Sequence, residues 1–76
     1  MQIDNTKDKQ AVAAECRNRA IEVEAIKDSL LKSQELLNGE DASVFMAKIQ
    51  LNSAIDKLGL AAELLSESAD NLYKDL

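Results

Sequence analysis

The stretch Leu37-Asn38-Gly39-Glu40-Asp41, at the midpoint of the 76-residue chain, decides the fold. Asn38 to Asp41 is the only cluster of turn formers, and Asn-Gly readily supplies the positive φ that stops a helix. On either side Ala, Leu, Glu, Lys and Gln abound and β-branched residues are few, which favours helix. Asn-Gly also marks β-hairpins, but these flanks lack the apolar–polar alternation that strands require. Asp4 or Asn5 is placed to cap the first helix and Asp41 the second. The sequence therefore predicts one helical-hairpin domain over residues 1–76: a helix over 5–37, a turn over 38–41 and a helix over 42–75. At 1.5 Å per residue each helix is about 50 Å long.

The second helix carries the cleaner pattern. Val44, Leu51, Leu58, Leu65 and Leu72 fall seven apart, and Lys48, Ile55, Ala62, Ala69 and Leu76 form the neighbouring column. That offset is the seam of a left-handed coiled coil. Beside it Ala47, Ala54, Ala61 and Ser68 make a ledge of small residues. In the first helix Val12, Cys16, Ala20, Val23, Ile26, Leu30 and Leu37 cluster on one face at about 100° per residue, although Arg19 and Ser33 occupy seam positions. Opposed through a short turn, the two stripes predict an all-α, coiled-coil-like antiparallel hairpin.

A second apolar stripe points outward. Met46, Ile49, Leu60 and Leu64 lie opposite the seam of the second helix, and Ala14, Ile21, Ala25 and Leu36 point away from that of the first. Fully burying a Leu, Ile or Met is worth about 1.5 to 3 kcal/mol, which a lone hairpin would forgo. Isolated apolar residues on a surface need no explanation, and Lys32, Asp56 and Lys57 interrupt these faces. The weight of the stripe nonetheless favours a partner. A four-helix bundle, built from two copies or with a different helical protein, would cover it.

Composition narrows the chemistry. The chain has no His, Pro or Trp and a single Cys, so catalytic triads, phosphorelay histidines, Glu-x-x-His metal bundles and structural zinc sites lose their central residues. No cofactor is implied, and an enzyme is not expected. Fourteen acidic against nine basic residues give a net charge of −5, the wrong balance for reading nucleic acid or an anionic membrane. The opening residues Met1 to Asp8 lack the apolar core of a signal peptide, and no apolar run is long enough to span a membrane. The expectation is a cytoplasmic protein, with export by a route without a cleaved signal left open.

Single residues add less. Cys16 reads as a small buried hydrophobe, with an intermolecular disulfide as the weaker reading. Gly59 costs about 1 kcal/mol relative to Ala inside a helix. The sequence leaves open whether it admits a close approach, permits a gentle kink or is simply tolerated. Glu15 with Arg19, Asp28 with Lys32 and Asp70 with Lys74 stand at ion-pair spacing on solvated faces. Phe45 and Tyr73 are the only aromatics: Phe45 reads as a core plug beside the turn and Tyr73 as a docking anchor.

Two similar long helices, a midpoint turn ending in Gly39 and a Phe six residues later resemble the Trp-x-Gly (ESX-like) proteins of type VII secretion systems. The corresponding segment is Leu37-Asn38-Gly39, with Ala42 following and Phe45 at the family's offset. The likeness spans nearly the whole chain as architecture, but Leu37 stands where the family has Trp. Family members also carry a C-terminal Tyr-x-x-x-Asp/Glu export signal; Tyr73 stands where one would begin, and the sequence given reaches Leu76, short of the acidic position. These departures point to a divergent branch, similar to the small Trp-less targeting partners that accompany LXG toxins in Gram-positive bacteria.

The resemblance implies an adaptor that binds the helical N-terminal region of such a toxin and targets it for export. Ile21, Leu36, Met46, Ile49, Leu60, Leu64 and Tyr73 would then meet the partner, and Leu37, Asn38, Gly39 and Phe45 would form the turn motif. The alternatives are a homodimeric assembly bundle unrelated to secretion, and a small acidic regulatory inhibitor. The latter ranks last because the carboxylates are spread along both helices among Lys and Arg.

Overall fold

Helix α1 spans Thr6–Glu35 and helix α2 spans Ala42–Lys74 in a computed structural model that describes residues 5–74. The two pack against each other as the expected antiparallel hairpin, with no strand among the described residues. The proposed cap Asp4 and the seam residue Leu76 lie outside the described residues. Asn5 holds the N-cap position through its backbone: its carbonyl accepts the Lys9 N–H at 2.9 Å, and its side chain makes no capping bond. At the other end of α1, the N–H groups of Leu36 and Leu37 donate to the carbonyls of Ser33 and Gln34, both at 3.0 Å. Such three-residue bonds tighten a last turn and end the regular helix. Hence α1 stops at Glu35, two residues short of the predicted end. Gly39 then turns the chain at φ 117°, and the Asp41 carbonyl opens α2 by accepting the Phe45 N–H at 3.0 Å.

The seam of α2 follows the two predicted columns. That of α1 differs from the reading at 100° per residue. Its inward residues are Ala13, Cys16, Ala20, Val23, Lys27, Leu30, Gln34 and Leu37, alternating by three and four. Val12 and Ile26 are instead exposed, as are Arg19 and Ser33. A two-helix seam repeats every 3.5 residues, so a face drawn at 3.6 drifts off it over four turns. Lys27 and Gln34 keep their seam places because long aliphatic stems lie along apolar surface while the polar ends reach the edge.

The core is thin. Among the described residues five apolar ones are buried, namely Ala13, Ala20, Ile55, Ala62 and Ala69, and four of them are alanines. The larger seam residues, from Val23 and Leu30 to Leu58 and Leu72, are only half-buried. The rod measures 65 × 16 × 15 Å with a radius of gyration of 17.9 Å, against about 11 Å for a globular domain of this length. Its accessible surface is 5926 Å², whereas a compact monomer of 8.3 kDa exposes about 4,600 Å².

Candidate partner-binding surface

Labelling the seam positions a and d fixes what lies on each long side. In an antiparallel pair, e positions of one helix flank e positions of the other, and g flanks g. On the e side Arg17 reaches across to α2. Its Nη2 donates to Asp70 Oδ1 at 3.3 Å, and its guanidinium lies 4.9 Å from the centre of the Tyr73 ring. Gln34 Nε2 donates to Asn52 Oδ1 at 2.7 Å, and the Lys27 side chain lies along Gly59. An open groove of about 480 Å³ runs along this side, lined by Arg17, Ala20, Ile21, Glu24, Ser66 and Asp70. On the g side Arg19 bridges two carboxylates of its own helix, Glu15 at 2.6 Å and Glu22 at 2.5 Å. The hydrogen bonds that Arg19 donates, to Glu22 first and then to Glu15, together with the charges of these carboxylates, raise the Arg19 pKa above its ordinary value. Glu15 and Arg19 thus form the ion pair anticipated from spacing, whereas Asp70 turns from Lys74 to Arg17 of the opposite helix.

The residues singled out for docking are all exposed, but they do not form one stripe. Ile21 and Ile49 fall at b positions beside the e side, and Tyr73 at an e position. Leu36 and Leu64 fall at c positions beside the g side; Met46 and Leu60 fall at f positions on the back of α2. They are spread along the rod as well, because Ile49 lies near the turn and Tyr73 near the open end. The outward grease therefore covers two sides and one back. The sequence reading missed Leu31 on the e side and Val12 and Ile26 on the g side as exposed apolar residues. A strict 3–4 alternation drawn from Ala13 would have found all three.

Phe45 corrects the sequence reading. It is 64% exposed rather than a core plug. It sits at an e position in the first turn of α2, beside the seam rather than in it. Leu37 is half-buried and closes the turn end of the seam, while Asn38 and Gly39 are exposed. Tyr73 keeps 40% of its surface exposed although Arg17 covers one part of the ring. Cys16 is a half-buried free thiol in the seam.

Among the described residues no group of three or more His, Cys, Asp or Glu side chains is placed to hold a metal ion. No described helix is long and apolar enough to cross a membrane. What the surface offers is contact area: among the described residues eleven large apolar side chains are exposed, against a single large buried one, Ile55. Comparison with protein-family models, with curated proteins and with solved structures finds no match to this chain.

Proposed function

We propose that this chain is a non-enzymatic helical binding module that completes a four-helix bundle by packing on a helical partner. One observation carries the reading: the exposed apolar side chains outweigh the core. Leu36 is 79% exposed and Ile21 69%, yet among the described residues Ile55 is the only large apolar side chain that is buried rather than half-buried. Monomeric surfaces do carry single apolar residues, but a thin seam with grease on both flanks is the arrangement of half a bundle. Burying five or six of these side chains in an interface would supply several kcal/mol that the lone hairpin lacks.

Its likeness to the small Trp-less partners of LXG toxins supports a more specific role. In this reading the chain is made in the cytoplasm, binds the helical N-terminal region of an LXG-type toxin and escorts it to the type VII secretion machine. The midpoint turn through Leu37, Asn38 and Gly39 favours that assignment.

Co-expression with an LXG-type toxin N-terminal region from the same genome, followed by light-scattering mass analysis, tests it. A complex whose mass contains both chains is the expected result. A homodimer that ignores the toxin region would leave an assembly module unrelated to export. A stable monomer that ignores both would defeat the binding-module reading itself.

A further inference from the structure

The two long sides differ in charge as well as in shape. Counting from Lys9 to Tyr73, the e side and its b rim carry Glu24, Asp28, Glu35, Asp56, Glu63 and Asp70. Three cations border them: Arg17, and Lys27 and Lys48 at the seam positions that adjoin this side. Arg17 is engaged by Asp70, and Lys27, threading out of the seam past Gly59, has its Nζ 3.7 Å from Glu24. That leaves Asp28, Glu35, Asp56 and Glu63 without a cationic partner among the described residues. The g side and its c rim, over the same span, carry Glu15 and Glu22 against Arg19 and Lys57, a balanced set. Although the carboxylates are spread along both helices, six of them against three cations leave this side with a net charge of −3.

The acidic side is also an apolar one. Ile21 and Ile49 stand on its rims, Leu31, Phe45 and Tyr73 lie at e positions between them, and all five are exposed. Near the middle the Lys27 side chain lies over Gly59, and Asp28, Asp56 and Glu63 stand on the rims. A second copy of this chain would bring carboxylates against carboxylates here, and like charges in apposition oppose docking. An anionic or nucleic-acid ligand is disfavoured on the same ground. The complementary object is a helix with an apolar stripe flanked by Lys and Arg.

We propose that the acidic side, with Ile21, Leu31 and Ile49 set among Asp28, Asp56 and Glu63, docks a cationic amphipathic helix of a partner protein. The apolar stripe supplies contact area, and the unpaired carboxylates select the sign of the partner and speed its encounter. The inference rests on the binding-module reading and deepens it, since it names which side is used and what charge the partner carries there.

Two synthetic helices of equal length and identical Leu stripe, one with Lys and one with Glu on the flanks, test it against the full chain. Titration is followed by calorimetry and by amide shifts of the labelled protein. The expected result is saturable one-to-one binding of the Lys helix alone, with shifts confined to residues around Ile21, Leu31, Ile49 and Gly59. The variant carrying Asp28→Asn, Asp56→Asn and Glu63→Gln should bind about tenfold more weakly, as loss of three exposed charge pairs implies. Because these replacements keep the side-chain shape and touch no core residue, circular dichroism should show unchanged helicity.

Equal binding of both helices would overturn the proposal, as would no binding of either. So would shifts centred on Ile26 and Leu64. Any of these could occur while the toxin-region complex still forms, so failure here is separable from failure of the binding-module reading.

Discussion

Lys27 lies along Gly59 across the seam: a Cβ built at Gly59 would stand 3.7 Å from the lysine Nζ and 3.8 Å from its Cδ. These are ordinary van der Waals distances, and Gly59 is an interior residue of α2. Gly59 thus neither relieves a clash nor marks an essential backbone approach for Lys27. Gly59→Ala should stabilise the hairpin by about 0.5 to 1 kcal/mol, through helix propensity and a less flexible unfolded chain. Thermal unfolding by circular dichroism checks the sign; a lowered midpoint would show that the glycine is required.

Gly39 is the opposite case. Its φ of 117° lies in a region that L side chains rarely adopt, although its surroundings are open, with Asp41 Oδ1 3.9 Å from a built Cβ. Gly39→Ala should therefore cost about 1 to 2 kcal/mol from backbone strain alone. Measured beside Gly59→Ala, the two substitutions should move the unfolding midpoint in opposite directions.

Ile55 and Phe45 invert the usual expectation that the larger ring matters more to the fold. Ile55 is the single large buried side chain among the described residues, so Ile55→Ala should cost about 2 to 4 kcal/mol and leave the lone chain largely unfolded. Phe45→Ala removes a mostly exposed ring and should change the stability of the lone hairpin by less than about 1 kcal/mol. Urea titrations of both variants decide it, and comparable losses would mean that Phe45 is covered in solution.

Arg17 ties the open end together through Asp70 and the Tyr73 ring. Both contacts are exposed, so Arg17→Ala should cost only about 0.5 to 1.5 kcal/mol, with the ion-pair share fading at high salt. Hydrogen exchange of the last turns of α2, compared at low and high salt, reads this directly. Unchanged protection there would show that the contact contributes nothing.

The hairpin was legible because its signals agree at several levels. One turn cluster at 38–41, helix-forming flanks and the seven-residue columns of α2 all specify the same object. The seam of α1 was less so, because Lys27 and Gln34 hold inward places while Val12 and Ile26, more apolar, do not. Hydrophobicity and spacing disagree there, and spacing prevails, because the partner helix contacts whatever recurs every 3.5 residues. The outward grease was visible residue by residue from Ile21 to Leu64, but its division between sides was not. That division depends on which flank each helix turns toward the other, a relation between two helices that neither periodicity contains.

In the proposed assembly the apolar sides of this rod are completed by another helical chain. Equilibrium urea unfolding of the purified protein, with its mass followed by sedimentation at each concentration, tests it most directly. The account predicts that the monomeric species is marginal, below about 3 kcal/mol, and that further stability comes only with a larger mass. A monomer that unfolds cooperatively with about 5 to 15 kcal/mol, independent of concentration, would contradict it.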